Sequence, residues 1–229
     1  MELSKRLAAI AGLVTEGAAI ADVGTDHGYV PIYLAETGKC ERVIAMDVNP
    51  GPLERALGHI REHGLEQRIE TRLSDGLKGL KKGEADTMIA AGMGGGLVIR
   101  ILEESADVVS EIREFILQPQ SEIHKVRAYL NQNGFRLVEE RMIEDEGKFY
   151  PMMKLIHGEE TAYTELELYF GRGLLAERHP VLHHFLIREE ERIRDIYQRL
   201  QGQAGSAALL RRREIEEELV RIRKAAALY

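Results

Sequence analysis

Short apolar runs alternate with helical stretches along the first two thirds of this 229-residue chain. The runs AIADV, VIAMD and DTMIAAG are apolar almost throughout, which is typical of parallel strands covered on both faces. Strand–helix alternation over about 130 residues predicts a doubly wound α/β sheet with right-handed crossovers. The predicted strands are AAIADVG, RVIAMDV, RIETRLSD, ADTMIAAG and EFILQPQ, with helices near residues 30–37, 50–63, 94–106 and 121–132.

The segment FRLVEERMIEDEGKFYPMMKLIH, residues 135–157, breaks this rhythm. Two extended runs flank the turn EDEGK, a pattern that predicts an antiparallel hairpin closing the sheet. Together with the five preceding runs, the hairpin gives seven strands. An amphipathic helix with Ser4 as its N-cap is predicted to open the chain.

After the hairpin the chain becomes helical and rich in charge. The segments VLHHFLIREEERIRDIYQRL and EIEEELVRIRKAAALY keep apolar residues at three–four spacing and are joined by the turn-prone QGQAGSA, residues 201–207. This pattern predicts two antiparallel helices with a narrow, coiled-coil-like seam. The expected seam residues are Leu182, Leu186, Ile193, Ile196 and Leu200 on one helix and Ile215, Leu219, Ile222 and Ala226 on the other.

The formal net charge of −7 is distributed unevenly. Residues 161–229 hold 12 Lys+Arg and 11 Asp+Glu, a balance of +1, so residues 1–160 carry −8. We expect these segments to be two domains, a globular one and a helical tail. Eleven of the tail cations are arginine, whose planar guanidinium suits phosphate. The tail could therefore present a basic face to nucleic acid, or solvated helix faces laced with Glu–Arg pairs.

Several classes of protein are disfavoured. The N-terminal MELSKRLAAIAGLV has no signal-peptide layout, and its apolar run is too short to cross a bilayer. The single Cys40 cannot form an internal disulfide, so we expect a cytoplasmic protein. The pairs His59/His63 and His179/His183 have metal-ligand spacing but no third ligand nearby, so we expect no metal site. No nucleophile elbow of a Ser-His-Asp hydrolase is present.

The turn DVGTDHG follows the first predicted strand, at the edge where doubly wound sheets bind ligands. Gly24 and Gly28 would let the backbone approach a ligand, but their G-x-x-x-G spacing disfavours an NAD oxidoreductase. Asp22 lies at the end of the first predicted strand. Asp47, at the end of the second, could accept hydrogen bonds from ribose hydroxyls, and Asp75, after the third, could accept one from an adenine amino group. Each residue could also serve only as a turn or cap residue. Together they predict a crevice for a nucleoside-containing cofactor.

The order DVGTDHGYVP, AMDVNPGPL, LSDGL, IAAGMGGGLVIRIL and LQPQ resembles the TrmK family of bacterial tRNA (adenine-N1)-methyltransferases, which modify adenine at position 22. DVGTDHGY and AGMGGG are the specific motifs, and the tail matches only by architecture. The resemblance implies a Rossmann-like class I methyltransferase fold, S-adenosylmethionine as methyl donor and tRNA as partner. The implied cofactor-binding residues are Asp22, Gly24, Gly28, Asp47, Asp75, Gly76 and Gly92.

Asp26 stands where the broader methyltransferase pattern commonly has glycine, which suggests a separate task. Methylation of adenine N1 leaves a cationic ring, which a facing carboxylate would stabilise. Asp26 is therefore the first catalytic candidate, and it could also accept a hydrogen bond from the exocyclic amine. His27 could position the base or assist proton removal from that amine. A His27 that is simply satisfied by a nearby carboxylate is an equal alternative.

Adenine N1 lies on the Watson–Crick edge, so the base must be extruded and would need stacking partners. Tyr29 is one candidate, although packing against the sheet is the simpler expectation. Gly92, Met93 and Gly94 replace the Asn/Asp-Pro-Pro-aromatic motif of many amino-methylating enzymes, which favours a ring nitrogen as acceptor. The same glycines could bind an anion at a helix start. Gln118 leaves the fifth strand on this rim and could touch the substrate, or QPQ could simply end the strand.

The helical tail is expected to hold tRNA through Arg211, Arg212 and Arg213, whose phosphate contacts would fix register without reading sequence. Lys5 and Arg6 could extend that track. The hairpin could instead be a dimerisation surface, and we expect a monomer or weak dimer. Other functions remain open: a methyltransferase for another RNA or a small molecule, or a non-catalytic methyltransferase-like binding module. The last should lose the acidic strand ends, which are present here.

Overall fold

The computed structural model describes residues 1–202 and 205–229. The chain divides into two compact units, Met1–Ala162 and Tyr163–Tyr229. The first unit contains all the strands, and the second is helical.

A seven-stranded sheet, in the order β3-β2-β1-β4-β5-β7-β6, forms the centre of the first unit. Strands β1 to β5 are parallel, and β7 runs antiparallel to both β5 and β6. The predicted Rossmann-like sheet with a terminal antiparallel hairpin is confirmed. The strands are β1 (Ala18–Val23), β2 (Cys40–Asp47), β3 (Ile69–Leu73), β4 (Thr87–Met93), β5 (Glu114–Pro119), β6 (Phe135–Asp145) and β7 (Lys148–His157).

Both faces of the sheet are covered, which explains the continuous apolar runs. In β1, Ile20 belongs to the core on one face, whereas Ala21 and Val23 belong to the core on the other. Alternate side chains of a strand point to opposite faces, so a strand covered twice needs apolar residues at every position. The covering helices are α1 (Lys5–Leu13), α2 (Tyr29–Glu36), α3 (Pro50–Glu62), α4 (Gly95–Glu104), α5 (Ala106–Val109) and α6 (Ile123–Gln132).

The positions at which α1 and α3 begin follow directly from the sequence. Ser4 caps α1 as expected, since its hydroxyl accepts a hydrogen bond from the Leu7 N–H at 3.3 Å. Pro50 opens α3, a position where its missing N–H costs no hydrogen bond. The sequence analysis did not predict the four-residue α5.

Four helices make up the second unit: α7 (Glu165–Phe170), α8 (Arg172–Ala176), α9 (Pro180–Gln201) and α10 (Ser206–Ala226). The short α7 and α8 were not predicted, and α10 begins eight residues before the predicted Glu214. The predicted turn over 201–207 includes residues 203 and 204, which lie outside the described residues. Within the described ranges, every helix is too short or too polar to cross a membrane.

The seam of the two long helices matches most expected positions. Buried residues on α9 and α10 include Leu182, Leu186, Ile193, Ile215, Leu219 and Ile222. The prediction of Ala226 was wrong: Ala225 is the buried residue, and Ala226 is partly exposed. Ile196 and Leu200 are also only partly buried. A helical period of 3.6 residues drifts against a fixed three–four pattern, and the errors fall at the end of each predicted seam, at its last two positions on α9 and its last position on α10.

Candidate active site

The turn after β1 lies at the switch point of the sheet, because β1 has β2 on one side and β4 on the other. The Gly24 and Thr25 N–H groups donate to the Met46 carbonyl oxygen at 2.8 and 3.0 Å, and this ties the turn to the end of β2. Asp22 lies next to Ala45 of β2 and Ile89 of β4 in the strand register. The carboxyl ends of three strands therefore surround this turn.

Asp22 is a buried carboxylic acid with no ion pair in the described part of the chain. Burial raises the pKa of Asp22 to about 6. The Thr25 hydroxyl, which approaches without full hydrogen-bond geometry, lowers this pKa somewhat, and the charge of Asp47 raises it. Because an unpaired buried carboxylate is costly, a cationic ligand group next to Asp22 would be bound favourably.

Two glycines leave room in the turn that a side chain would fill. Gly24 and Gly28 have φ angles of +78° and +72°, which favour glycine. A Cβ at Gly24 would lie 3.1 Å from Met93 Cε, and one at Gly28 would lie 3.2 Å from the Ala56 Cβ. The open cradle at Gly24, beside the unpaired Asp22, is suited to the methionine end of S-adenosylmethionine.

Asp47 ends β2 and is half-buried. Its Oδ1 atom accepts a hydrogen bond from the Asn49 N–H at 2.9 Å. Within the described residues, no hydrogen bond occupies its other carboxylate oxygen. The position and the free oxygen are compatible with a ribose hydroxyl as donor, so the carboxylate fits the predicted cofactor.

Asp75, unlike Asp47, has no free carboxylate oxygen. Its two oxygens pair with Lys78 Nζ at 2.7 Å and with Arg100 Nη2 at 2.9 Å. Lys78, and then the charge of Arg100, hold the pKa of Asp75 below its usual value. An adenine amino group would have to compete with both cations for this carboxylate. The neighbouring Gly76 has a φ of +60°, and a Cβ there would lie 2.8 Å from Ile101 Cγ1.

Asp26 stands at the tip of the turn in a left-handed conformation, with a φ of +48°. Its exposed side chain accepts a hydrogen bond from Arg55 Nη2 at 2.7 Å. His27 Nε2 lies 3.6 Å from the other Asp26 oxygen. Sequence reasoning missed Arg55, because only the folded chain brings α3 next to this turn.

Three aromatic rings form a cluster beside Asp26, which we call the ring cluster: His27, Tyr29 and His59. Their centroids lie 5.2 to 5.7 Å apart, and their planes differ by no more than 20°. His59 Nδ1 also lies 2.9 Å from the His27 carbonyl oxygen. The expectation that Tyr29 packs against the sheet was wrong, since it is 38% exposed. His59 is partly buried in this cluster, and its place there follows from the packing of α3 beside the turn.

The turn after β4 borders the first turn. Gly92 has a φ of +81°, Gly94 is the N-cap of α4, and Met93 approaches Gly24. Gln118 is buried near the carboxyl end of β5 and also lines a pocket at this edge of the sheet. Its Oε1 atom accepts a hydrogen bond from Arg6 Nη1 at 3.0 Å, so this contact occupies Arg6, which was expected to extend the basic track.

The three predicted phosphate-binding arginines lie on α10 in the second unit. Arg211 pairs with Glu214 at 2.7 Å, Arg213 is exposed, and Arg212 is partly buried. Arg211 and Arg213 are therefore the more accessible of the three. Neither unit shows a metal site: residues 1–202 and 205–229 contain no group of three or more His, Cys, Asp or Glu that could hold an ion.

A doubly wound sheet with an antiparallel end, a glycine turn after β1 and acidic residues at successive strand ends define a Rossmann-like methyltransferase. In agreement, residues 3–153 match a family model described as a methyltransferase domain. A tRNA (adenine(22)-N(1))-methyltransferase of Bacillus subtilis is 33% identical over 211 residues, 90% of this chain and 89% of that protein. This chain belongs to the tRNA (adenine(22)-N(1))-methyltransferase family.

Solved structures agree over nearly the whole chain. A putative tRNA (m1A22) methyltransferase of Streptococcus pneumoniae, in complex with S-adenosyl-L-methionine, is 32% identical with a TM-score of 0.88, covering 98% of this chain and 100% of that one. TrmK of M. capricolum, in complex with S-adenosyl-homocysteine, is 27% identical with a TM-score of 0.86, covering 100% and 99%. The similarity therefore includes the helical tail as well as the sheet.

Proposed function

We propose that this protein transfers a methyl group from S-adenosylmethionine to N1 of the adenine at position 22 of tRNA. The observation that carries the proposal is the first turn, where a buried, unpaired Asp22 lies beside an open glycine cradle at the switch point. Membership of the family supports the same reaction. The catalytic domain would comprise residues 1–160, and residues 161–229 would be the tail.

S-adenosylmethionine supplies an activated methyl group on a positively charged sulfur. Asp22 offers negative charge to the cationic methionine end, and Gly24 and Gly28 let the backbone come close. Asp47 would accept hydrogen bonds from the ribose hydroxyls through its free oxygen. The Asp75–Gly76 turn borders the adenine, and because cations engage both Asp75 oxygens, we assign the closer contact to the backbone of this turn. Gly92 completes the cofactor-binding residues on the β4 side.

Adenine N1 carries a lone pair, so the base needs no deprotonation before it accepts a methyl group. The enzyme must instead align the two reactants and stabilise the positive charge that develops on the ring. Asp26 is the carboxylate we assign to that charge, and Arg55 fixes its orientation. His27 and Tyr29 belong to a cluster on which an extruded base could stack.

We assign tRNA phosphate binding to α10, chiefly to Arg211 and Arg213. Arg212 is the weaker candidate because it is partly enclosed. These contacts would add affinity without reading sequence. We place the enzyme in the cytoplasm as a monomer or weak dimer, in keeping with its single cysteine and its substrate.

Methyl transfer from labelled S-adenosylmethionine to unmodified tRNA transcripts, followed by nucleoside analysis, tests the proposal. We expect 1-methyladenosine from the wild-type transcript and none from a transcript with another base at position 22. Cofactor binding without transfer to any tRNA would contradict the proposal and favour another RNA, a small molecule or a non-catalytic role.

A further inference from the structure

A pocket of about 230 Å³ lies between the end of β5 and the start of β7. One wall comes from the QPQ segment at the end of β5, with Gln118 and Gln120, and the other from the start of β7, with Lys148, Phe149 and Tyr150. Because β7 runs antiparallel to β5, its first residues stand at the edge where the parallel strands end. The pocket therefore opens at the same edge of the sheet as the first turn.

A continuous line of contacts joins this pocket to the first turn. The Gln120 N–H donates to the Met93 carbonyl oxygen at 2.9 Å, and Pro119 is the register partner of Met93. Met93 Cε in turn would lie 3.1 Å from a Cβ at Gly24. A planar group held in the pocket would thus point one edge past Met93 toward the turn where we place the methyl donor.

The two glutamines of the pocket are in different states. Gln118 is buried, and Arg6 holds its amide oxygen at 3.0 Å. Gln120 is exposed, and its side-chain amide makes no hydrogen bond within the described residues. A Cβ at Gly92 would lie 3.6 Å from Gln120 Nε2, so the amide borders the open side of the β4 turn. Gln120 therefore has one acceptor and two donor hydrogens available to a ligand.

We infer that this pocket holds the target adenine and that Gln120 pairs with its N6 and N7 atoms. The inference rests on the proposed function and specifies how its substrate is read. Adenine presents a donor at N6 and an acceptor at N7 on one edge, and a glutamine amide can bond both. N1 lies on the other side of N6, so this contact leaves N1 free to accept a methyl group.

The same geometry would discriminate between adenine and guanine. Guanine presents two acceptors on this edge, O6 and N7, so the Gln120 carbonyl oxygen would face an acceptor. In this pocket the aromatic rings of Phe149 and Tyr150, rather than the ring cluster, supply the apolar surface for the base, and Lys148 carries a positive charge at the rim that suits a phosphate. Arg6 holds Gln118 in the pocket wall, and its guanidinium lies 5.7 Å from the Tyr150 ring centroid.

The test compares wild type and Gln120→Ala on two tRNAs, one with adenosine and one with 7-deazaadenosine at position 22. The second base lacks the N7 acceptor but keeps N1. We expect kcat/KM of wild type to fall about tenfold on the deaza tRNA, and Gln120→Ala to lose about as much on adenosine. On the deaza tRNA, Gln120→Ala should lose less than it loses on adenosine, because the N7 contact is already absent and only the N6 contact remains to be lost.

The inference would be overturned if kcat/KM fell by the same factor on the deaza tRNA in wild type and in Gln120→Ala. It would also be overturned if wild type methylated both tRNAs with the same kcat/KM. In both cases the proposed function would still stand, because adenosine is methylated. A wild type inactive on both tRNAs would overturn the proposed function and the inference with it. Two controls separate a lost contact from misfolding. Gln120→Ala should keep its S-adenosylmethionine affinity, and Gln67→Ala, which changes another exposed glutamine, should keep wild-type kinetics.

Discussion

The carboxylates at the switch point of the first unit and the exposed arginines of the second unit differ in how they are paired. In Met1–Ala162, Asp22 lies next to the end of β1 and Asp47 ends β2, and neither has an ion pair in the described part of the chain. In Tyr163–Tyr229, the exposed arginines commonly pair with glutamates, as in Arg192–Glu189, Arg194–Glu190, Arg211–Glu214 and Arg223–Glu190. Exposed pairs contribute little to stability, whereas an unpaired buried carboxylate costs folding free energy. The buried charge of Asp22 is thus unfavourable at a place where a ligand would relieve it.

The largest expected effect is at Asp26. Asparagine tolerates the left-handed backbone conformation of this position, so Asp26→Asn changes the charge and little else. We expect kcat to fall by about 100-fold or more, because the carboxylate would no longer face the cationic ring. Single-turnover methylation of tRNA measures the effect.

Two controls accompany Asp26→Asn. S-adenosylmethionine affinity should stay within about threefold of wild type if Asp26 acts on the base. Arg55→Ala removes the Asp26 ion pair but not the carboxylate, and should cost less activity than Asp26→Asn. Full turnover by Asp26→Asn would remove Asp26 from the mechanism.

Next in size is Asp22→Asn. Removing the buried negative charge should weaken S-adenosylmethionine binding by roughly tenfold, measured by calorimetry at pH 8, where Asp22 is ionised. The neutral product S-adenosylhomocysteine lacks the sulfonium charge and should lose less affinity. An equal loss for both ligands would argue against a charge interaction at the sulfur.

The same substitution should stabilise the protein without ligand at high pH. Because the pKa of Asp22 rises from 3.8 to about 6 on folding, ionisation costs free energy that is fully present above pH 6 and absent below about pH 4. Asp22→Asn should raise the free energy of unfolding by on the order of 2 kcal/mol at pH 8, and the gain should vanish as the pH falls. Denaturant unfolding at several pH values, with exposed Asp107→Asn as control, measures this.

A smaller effect is expected in the second unit. The double variant Arg211→Ala/Arg213→Ala should bind tRNA roughly tenfold more weakly and reduce the slope of log K against log salt by about 1.5. Arg192→Ala/Arg194→Ala on α9 removes the same charge and serves as the matched control. Equal slopes for the two double variants would show that α10 has no special phosphate contact, and would favour a protein-binding role for the tail.

The smallest effect is expected from a paired tail residue. Glu190 accepts hydrogen bonds from Arg194 and Arg223, yet Glu190→Gln should lower the free energy of unfolding by less than about 1 kcal/mol, because exposed pairs are screened by water. Thermal unfolding at low and high salt measures the change. A large loss would make the contrast between the two units invalid.

The fold was predictable where a pattern is local and repeated. Apolar runs revealed β1, β2 and β4, and the turn EDEGK revealed the β6–β7 hairpin, because each signal is carried by adjacent residues. Short helices were missed: α7 depends on the capping box of Thr164 with Glu167, and α8 follows the glycine at position 171. Neither is long enough to show a helical period.

The site was predictable only in part. The sequence identified Asp22, Asp26 and Asp47 as candidates, because an acidic residue at or just after a predicted strand end can be recognised from adjacent residues alone. Arg55, His59 and Arg6 were not assigned their contacts, since these depend on which helix packs beside which turn. The burial of Gln118 could have been foreseen from its place in a strand covered on both faces.

The close approach of Gly28 to Ala56 couples two positions that are distant in sequence. A methyl group at residue 28 would meet the Ala56 Cβ at 3.2 Å, and His27 and His59 flank this contact on the two segments. The spacing of the ring cluster thus depends on the smallness of both residues. In a library randomised at positions 28 and 56, we therefore expect folded variants to carry small residues at both positions. An engineer who wishes to reshape the ring cluster must redesign the two positions together.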